Sequence, residues 1–363
     1  MKIGIVGTRG IPNQYGGFEQ FAEYLSAGLV ERGHQVWVYN SHRHSYQEST
    51  WKGVNIVHCY DPEHKLGTAG QFIYDFNCIR DSRKRDLDIV LQLGYTSSSV
   101  WTWLFNRKQV LITNMDGLEW KRSKYNKWTQ RFLQRAERWA ARGSDILVAD
   151  SEGIEEYILQ KYARPSHFIP YGANIPSIEK QDFVREMNLS LFGYDMIIAR
   201  LEPENNIEMI LTGFTLSNIK QPILVVGNHN TSYGNYLKNK FAHNHIRFVG
   251  AIYDISKLDE LRHYARYYFH GHSVGGTNPS LLEAMASGAL VCVHENRFNC
   301  SVIGEGGLFF KSAVDVAAIM DQDLPHKKRE ALIATSLDRI DRFYSWKRII
   351  DLYESLFIKS KVK

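Results

Sequence analysis

The sequence has few features that would set it apart from ordinary globular proteins. Its four cysteines in 363 residues lack the paired spacing of a zinc site or disulfide framework, so we expect reduced, structural thiols. It has no run of about 18 consecutive apolar residues that would predict a membrane-spanning helix, and its start, MKIGIVGTRG, lacks the apolar segment of a signal peptide. The net charge of +5 gives no argument for a nucleic-acid partner. These absences predict a cytoplasmic protein.

Two successive series of strands and helices fill the chain. Its length suits about two domains, by the usual prior of about 100–200 residues each. The first series starts at Lys2 and ends near Asn174, and the second begins at Asp195, after a polar stretch over 177–191. Apolar strand-like runs alternate with helical patterns in both, which predicts two α/β, doubly wound domains.

The segment His270–Gly288, HGHSVGGTNPSLLEAMASG, carries the clearest chemical signal. An apolar run precedes it, and Pro279 opens a helix directly after two good capping residues, Thr277 and Asn278. A glycine loop that leads into a helix N-terminus favours a bound phosphate. Glu283, one turn into the helix, could reach sugar or ribose hydroxyls. Equally, it could be a partly exposed glutamate in an ordinary α/β crossover.

A second glycine-rich loop, Gly7–Gly17, follows the first strand. Its spacing raises the alternative of an NAD-dependent enzyme. However, a dinucleotide-binding fold typically has an Asp or Glu at the end of the second strand to bind the ribose, and this sequence has Tyr39-Asn40-Ser41 there. The loop therefore favours a sugar-diphosphate, with Gly16 and Gly17 at the ligand. A simple tight turn at that pair remains the competing interpretation.

The segment "S…GG…PSLLEAMASGALVCV" resembles the donor-site helix of retaining glycosyltransferases of family 4. Four further stretches are similar to family landmarks: Arg32–Val36, Ile169–Asn174, Arg200–Asn205 and Glu305–Phe310. The resemblance implies the GT-B fold, in which two Rossmann-like doubly wound domains face each other across a cleft. It places an acceptor domain at 1–172, joined by a C-terminal helix over 345–363, and a donor domain at 173–344. It also implies that no cofactor or metal is needed.

The same resemblance assigns the site residues. Asp116, Arg200 and Glu283 become the catalytic candidates, and a single Asp in a strand-end loop is also a common turn cap. Arg200 would hold the donor diphosphate, unless it closes a salt bridge with Glu202 or Glu204. The donor-binding candidates are Arg9, Gly16, Gly17, Arg200, Asn205, His272, Gly275, Gly276, Thr277, Asn278, Ser280, Leu281 and Glu283.

Two positions depart from the family pattern. Gly275 stands where the family has a first Glu, and Asn205 stands where it has a Lys. With these departures the chain looks like bacterial rhamnosyltransferases of capsule and O-antigen assembly, which implies a dTDP-rhamnose donor and a saccharide acceptor on a polyprenyl diphosphate. Three alternatives stay open: a hexosyltransferase that uses a UDP- or GDP-sugar, a GT-B nucleotide-sugar epimerase, and a non-catalytic nucleotide-sugar-binding protein.

A basic segment over 120–143 predicts an amphipathic helix. Its cations are Lys121, Arg122, Lys124, Lys127, Arg131, Arg135, Arg138 and Arg142, against the single acid Glu137. One interpretation is a face drawn to anionic lipid, which predicts peripheral attachment at the inner face of the plasma membrane. The other is an apolar stripe that packs on the sheet beneath a solvated basic face, and its members are Trp128, Phe132, Leu133, Ala136, Trp139 and Ala140.

Overall fold

The computed structural model describes residues 1–14, 16–122 and 125–361, and the chain divides into two compact units. The first unit comprises Met1–Tyr171 together with the chain from Trp346 onward, and the second comprises Gly172–Ser345. Lys124 of the predicted basic helix and residues 362–363 of the predicted terminal helix lie outside the described residues. In the described ranges, no helix is long and apolar enough to cross a bilayer.

The first unit is built on a largely parallel sheet. Its strands are β1 (Lys2–Val6), β2 (Gln35–Ser41), β3 (Thr50–Trp51), β4 (Val54–Cys59), β5 (Ile89–Leu93), β6 (Val110–Asn114), β7 (Ile146–Ala149) and β8 (His167–Phe168). They pair in the order β3-β4-β2-β1-β5-β6-β7-β8, and β3 runs antiparallel to β4. Strand β5 is buried along its whole length, as apolar runs in a parallel sheet require.

Helices cover both faces of this sheet. They are α1 (Gly17–Glu31), α2 (Glu63–Leu66), α3 (Ala69–Ser82), α4 (Lys127–Gly143) and α5 (Glu152–Tyr162). Two 3₁₀ segments lie in the connections: Ser98–Leu104 follows β5, and Glu119–Lys121 follows β6. The crossover from β1 to β2 runs in the opposite direction to those from β4 to β5 and from β6 to β7. Because such crossovers are right-handed, α1 covers one face, and α3 and α4 cover the other.

The second unit has a smaller parallel sheet. Its strands are β9 (Asp195–Ile198), β10 (Ile223–Val226), β11 (Ile246–Gly250), β12 (Tyr267–His270), β13 (Val291–His294) and β14 (Leu308–Phe310). They pair in the order β11-β10-β9-β12-β13-β14. Its helices are α6 (Asp182–Glu186), α7 (Ile207–Leu216), α8 (Ser232–Lys240), α9 (Ile255–His263), α10 (Pro279–Ala286), α11 (Arg297–Ile303), α12 (Ala313–Asp321) and α13 (His326–Arg339).

The last helix, α14 (Trp346–Lys361), packs against α1 of the first unit. The Trp346 ring stacks on Tyr24, with 4.6 Å between centroids. Tyr353 is fully buried and contacts the Phe21 ring edge-on at 5.3 Å. Arg32 at the end of α1 pairs with Glu354 at 2.8 Å. The buried aromatic contacts make α14 part of the first unit's core.

The structure corrects the predicted start of the basic helix and part of its predicted apolar stripe. The helix begins at Lys127, not Trp120, because the Asn126 side chain caps it by accepting from the Thr129 amide at 2.9 Å. The small and aliphatic members of the predicted apolar stripe, such as Leu133 and Ala136, are buried as predicted, whereas its two tryptophans are not. Trp128 is 78% exposed and Trp139 is 42% exposed.

Candidate functional site

The second unit changes the direction of its connections between β9 and β12. From β9 the chain moves to β10 on one side, and β12 lies on the other side and leads to β13. Loops at the carboxyl ends of the two strands on either side of such a switch form the usual ligand crevice of doubly wound sheets. Here these loops are 199–206 and 271–278.

The loop over 271–278 leads into α10 as the sequence predicts. The Asn278 side chain caps the helix by accepting from the Ser280 amide at 3.0 Å, and Pro279 occupies its first turn. Gly271 has no room for a Cβ, which would lie 2.2 Å from the Asn205 carbonyl oxygen. Gly275 has a φ of +133°, and nothing lies within 4 Å of the position its Cβ would take. The loop therefore exposes backbone at the start of a helix.

The two loops are tied together by hydrogen bonds. The Ser273 amide and hydroxyl donate to the Glu204 carbonyl at 3.0 and 2.8 Å, and the Asn206 side chain donates to the Gly271 carbonyl at 2.7 Å. Asn296 and Asn299 both donate to the His272 carbonyl at 2.9 Å. No local motif marks these two asparagines, because their side chains donate to a carbonyl more than 20 positions away in the sequence.

Arg200 and Asn205 have different surroundings within the first of these loops. Arg200 is exposed, and within the described ranges it makes no ion pair with Glu202 or Glu204. Asn205 is 5% exposed and donates to the Arg200 carbonyl at 2.7 Å. Asn205 thus holds the backbone of the loop that presents Arg200. A lysine at this position would instead be expected to bring a positive charge to the loop.

Glu283 is held by a buried arginine that sequence analysis missed. Arg262 on α9 contacts Glu283 at 2.5 Å and Asp259 at 2.8 Å. The Arg262 side chain is 1% exposed and that of Glu283 is 25% exposed. Ser287 at the end of α10 also donates to Asp259, at 3.1 Å. The arrangement orients the Glu283 carboxylate from beneath while one part of it stays accessible.

Two histidines lie under and within the glycine loop. His272, a predicted ligand, stacks on His270 with 4.2 Å between ring centroids. His270 is 1% exposed, and neither of its ring nitrogens has a hydrogen-bond partner among the described residues. Burial, with a smaller contribution from His272, lowers the pKa of His270 well below its ordinary value. His270 therefore supports the loop as a neutral ring.

In the first unit, the corresponding switch lies between β1 and β5. Arg9, predicted to face a diphosphate, forms an ion pair with Glu63 at 2.6 Å. Its amide donates to the Glu19 carboxylate at 2.8 Å, so the predicted loop is tied to α1. Gly16 has an extended backbone, with φ of −175°, and Gly17 opens α1. The glycine pair thus forms the entry to a helix in this unit.

Asp116 follows β6, next to β5 in the same sheet. Its φ of +49° is left-handed, and its amide donates to the Asn114 side chain at 3.0 Å. Asn114 in turn donates to the Tyr353 hydroxyl of α14 at 3.2 Å. The turn is thus held by the side chain of Asn114, and Asp116 is left half-buried at its tip.

Two Asp-x-Asp triplets occur in the sequence, at 86–88 and 321–323, and paired carboxylates could hold a divalent cation. Asp88 instead accepts from the Lys2 amide at 2.8 Å and pairs with Lys361 at 2.8 Å. Asp321 accepts from the Asn218 amide at 2.8 Å. In the part of the chain that the structure describes, no group of three His, Cys, Asp or Glu could hold a metal ion.

Two family models match the chain. Residues 1–174 match a domain of unknown function, DUF1972, and residues 195–322 match glycosyl transferases group 1. The second match contains both loops at the switch between β9 and β12, Arg200 and Glu283. Comparison with curated protein sequences finds no match.

Solved structures resemble the whole chain. Sucrose-phosphate synthase from Thermosynechococcus elongatus has a TM-score of 0.79 at 18% identity, with 99% of each chain covered. Anabaena HepE in complex with UDP and glucose has a TM-score of 0.77 at 13% identity, again with 99% of each chain covered. A glycosyltransferase from Rickettsia africae has a TM-score of 0.73 at 13% identity, with 100% of this chain and 98% of that chain covered.

These matches confirm the predicted fold class. Two parallel-sheet, Rossmann-like units that align over almost the full length with these structures have the GT-B fold. The match of residues 195–322 to glycosyl transferases group 1 supports the prediction of a glycosyltransferase.

Proposed function

We propose that this protein is a metal-independent retaining glycosyltransferase that moves a sugar from a nucleotide-sugar donor to a saccharide acceptor. The observation that carries the proposal is the pair of hydrogen-bonded loops at the switch between β9 and β12. They lie within the segment that matches group 1 glycosyl transferases. The donor would bind to the second unit and the acceptor to the first.

The two loops offer the chemistry that a leaving diphosphate needs. Backbone amides of Gly276–Asn278, at the N-terminus of α10, would bind phosphate oxygens through the positive end of the helix. Arg200 would add a guanidinium, whose fork bonds two oxygens at once. Both groups stabilise the negative charge that grows as the sugar leaves, which is the largest catalytic contribution in such sites. His272 and Asn205 would act through the loop backbone.

Transfer with retention breaks the bond between the anomeric carbon and the diphosphate oxygen. The acceptor hydroxyl forms the new bond on the same face of the sugar, and its proton passes to the leaving diphosphate. We assign Glu283 to hydrogen bonds with donor hydroxyls, since Arg262 holds its carboxylate in one orientation. Asp116 remains the proposed catalytic residue of the first unit, toward the transferred sugar.

The finer parts of the proposal come from the sequence resemblance. Rhamnose from dTDP-rhamnose is the proposed donor sugar, and a polyprenyl-diphosphate-linked saccharide of bacterial surface polysaccharide synthesis is the proposed acceptor. The Anabaena neighbour, solved with UDP and glucose, supports a nucleotide-sugar in general and leaves a UDP-sugar as the alternative donor. A lipid-linked acceptor also motivates the proposed membrane contact through residues 120–143.

The first test is donor binding, measured as the shift in melting temperature on addition of dTDP-rhamnose, UDP-glucose, UDP-galactose, GDP-mannose or NAD. The wild type should respond to one nucleotide-sugar. Arg200→Ala should weaken that binding by about 10- to 100-fold, since a hydrogen bond to a charged group contributes about 1.5–3 kcal/mol. Arg247→Ala removes another exposed arginine of the same unit and should bind like the wild type.

Several outcomes would contradict the proposal. A response to NAD alone would overturn the interpretation of both glycine loops, and unchanged binding by Arg200→Ala would remove the site assignment. Conversion of the donor to another sugar without any acceptor would identify an epimerase. Binding without turnover, across lipid-linked and soluble saccharides, would identify a non-catalytic binding protein. Loss of transfer on chelation of divalent cations would contradict metal independence.

A further inference from the structure

Helix α4 exposes aromatic and basic side chains on one face. Trp128 is 78% exposed, and Trp139 is 42% exposed three turns later. Arg131, Arg135 and Arg142 are exposed at helical spacing from them, and the Arg131 guanidinium lies 5.5 Å from the centroid of the Trp128 ring. The single acid of α4, Glu137, is 2% exposed. This face therefore presents large apolar surface among positive charges without a compensating carboxylate of its own helix.

A neighbouring segment adds a third exposed tryptophan. The 3₁₀ segment over 98–104 packs beside α4 and carries Trp103, which is 73% exposed. Aromatic contacts connect the elements: Phe132 of α4 meets Phe72 of α3 at 5.7 Å and Trp139 at 6.2 Å. We define the aromatic–basic surface as the three exposed tryptophans, Trp103, Trp128 and Trp139, with Arg131, Arg135 and Arg142.

A pocket lies between α3 and the same 3₁₀ segment. Its volume is about 430 Å³, and its lining consists of Phe76, Arg80, Arg83, Lys84 and Leu104. The three cations are exposed, and Phe76 contacts Trp101 edge-on at 5.0 Å, which joins the pocket wall to the residues beside Trp103. Apolar walls beneath a cluster of cations suit an anionic headgroup whose acyl chains stay at the aromatic residues.

We propose that the aromatic–basic surface and this pocket together dock the first unit on a bilayer that contains anionic phospholipid, with a lipid phosphate in the pocket. Membrane docking rests on the proposed function in one respect, because its purpose would be to bring the enzyme to a lipid-linked acceptor. The side chains that would bind the bilayer are exposed whether or not that function holds. Tryptophan belongs at the boundary between acyl chains and headgroups, and Lys and Arg are attracted to an anionic leaflet. A cluster of exposed tryptophans is unfavourable in water, and such an apolar patch indicates an interaction site.

The test is sedimentation of the 363-residue chain with vesicles of phosphatidylcholine alone or mixed with phosphatidylglycerol. Binding should require phosphatidylglycerol and weaken as salt is raised. The variant Trp103→Ala/Trp128→Ala should bind about tenfold more weakly or worse, because it loses apolar area at the interface. The variant Arg80→Ala/Arg83→Ala/Lys84→Ala should lose about a hundredfold, since each basic residue near an anionic leaflet contributes about fivefold.

A matched control separates this surface from net charge. Lys220→Ala/Lys327→Ala/Lys328→Ala removes three exposed lysines of the second unit and should keep wild-type binding. Equal loss in the control, or unchanged binding in both surface variants, would overturn the proposal. So would retention on heparin without vesicle binding, which would show a general polyanion site, and release from vesicles by inorganic phosphate alone, which would show a free-phosphate pocket.

Vesicle binding and the proposed function fail independently. Vesicle binding is measured without nucleotide, and donor binding is measured without lipid. Because the altered side chains are exposed, melting temperature should stay near that of the wild type. A chain that binds vesicles but no nucleotide-sugar would reject the proposed function alone, and the reverse result would reject the membrane surface alone.

Discussion

At the scale of single residues, Gly275 is a position where the proposed donor site departs from the family pattern. Its φ of +133° is a conformation that L side chains rarely adopt, although a Cβ would meet open space. The family resemblance predicts a glutamate here, and glycine instead lets the backbone take a turn that a glutamate would resist. The departure from the family pattern therefore changes the backbone as well as the side chain.

Gly275→Glu is expected to lower transfer activity with the native donor. Backbone strain at this φ costs about 1–3 kcal/mol, and the new carboxylate would stand at a loop proposed to bind phosphate. Gly275→Ala carries the strain without the charge, so steady-state kinetics of the two variants separate the causes. If Gly275→Glu loses more transfer activity than Gly275→Ala, the added charge is the cause. If the two variants lose equal activity, backbone strain is the cause. Unchanged kinetics in Gly275→Glu would reject the proposed role of this position.

Asp75 is a second residue whose surroundings set its behaviour. It is 6% exposed, and it accepts from the Ser97 hydroxyl at 2.6 Å. Burial is the main cause that raises the pKa of Asp75 from 3.8 to about 7. The folded state thus favours the protonated acid, and this stability is lost as pH rises from about 4 through 7.

Asp75→Asn should therefore raise the melting temperature at pH 8 and change it little at about pH 3.5, below the ordinary pKa of 3.8 that the unfolded chain retains. The gain at pH 8 has an upper bound of about 4 kcal/mol, from three units at about 1.4 kcal/mol each. Differential scanning calorimetry at both pH values measures it. Asp86→Asn alters a carboxylate whose side chain is 97% exposed and serves as the control. An Asp75→Asn variant less stable than the wild type at pH 8 would refute the proposed cost of ionised Asp75.

At the scale of elements, α9 and α10 are joined through the buried guanidinium of Arg262. Neither helix shows this contact in its own pattern. Arg262 and Glu283 are 21 positions apart, and an arginine in an amphipathic helix is ordinarily assigned to solvent. Glu283 could be predicted because a glycine loop and a helix cap precede it in the sequence, whereas its partner Arg262 is brought to it only by the packing of α9 on α10.

Arg262→Met should destabilise the protein by about 3–5 kcal/mol, because it leaves two carboxylates without their buried counter-charge. It should also weaken donor binding, because Glu283 loses its orientation. Chemical denaturation and donor titration measure the two effects. Adding Glu283→Gln should restore part of the stability but not the binding. Lys257→Met, on the same helix but half-exposed, is the control, and a loss as large there would contradict the argument.

At the scale of the whole molecule, most of the architecture could be predicted from hydrophobic patterning. The largely apolar run over Val110–Asn114 forms β6, in which four of the five residues are buried, because an apolar run between turn residues indicates a buried strand. The start of α4 could not be predicted from periodicity, which continues back to Trp120, because the Asn126 cap overrides it. Exposure of Trp128 also escaped prediction, since aromatic residues at helical spacing usually mark a buried face.

The first unit depends on the distant α14. Ile349, Tyr353 and Phe357 of this helix are fully buried. A chain that ends at Ser345 should lose at least about 5 kcal/mol of stability in the first unit, at about 1.5–3 kcal/mol per buried side chain. Hydrogen exchange should report the loss in α1 and β6 and leave the second sheet protected. Tyr353→Ala is the milder variant, and Arg348→Ala/Lys359→Ala is its exposed control. Equal protection of both sheets in the truncated chain would contradict this dependence.

The carboxylate of Asp88 brings the two ends of the described chain together. It accepts from the Lys2 amide and pairs with Lys361, each at 2.8 Å. Consequently, a short linker from α14 to β1 would permit circular permutation with new termini at Ser345 and Trp346. The permuted chain would carry α14 and residues 1–171 as one uninterrupted segment, followed by 172–345. Two covalent connections between the units would become one, so each unit could be expressed from its own continuous reading frame.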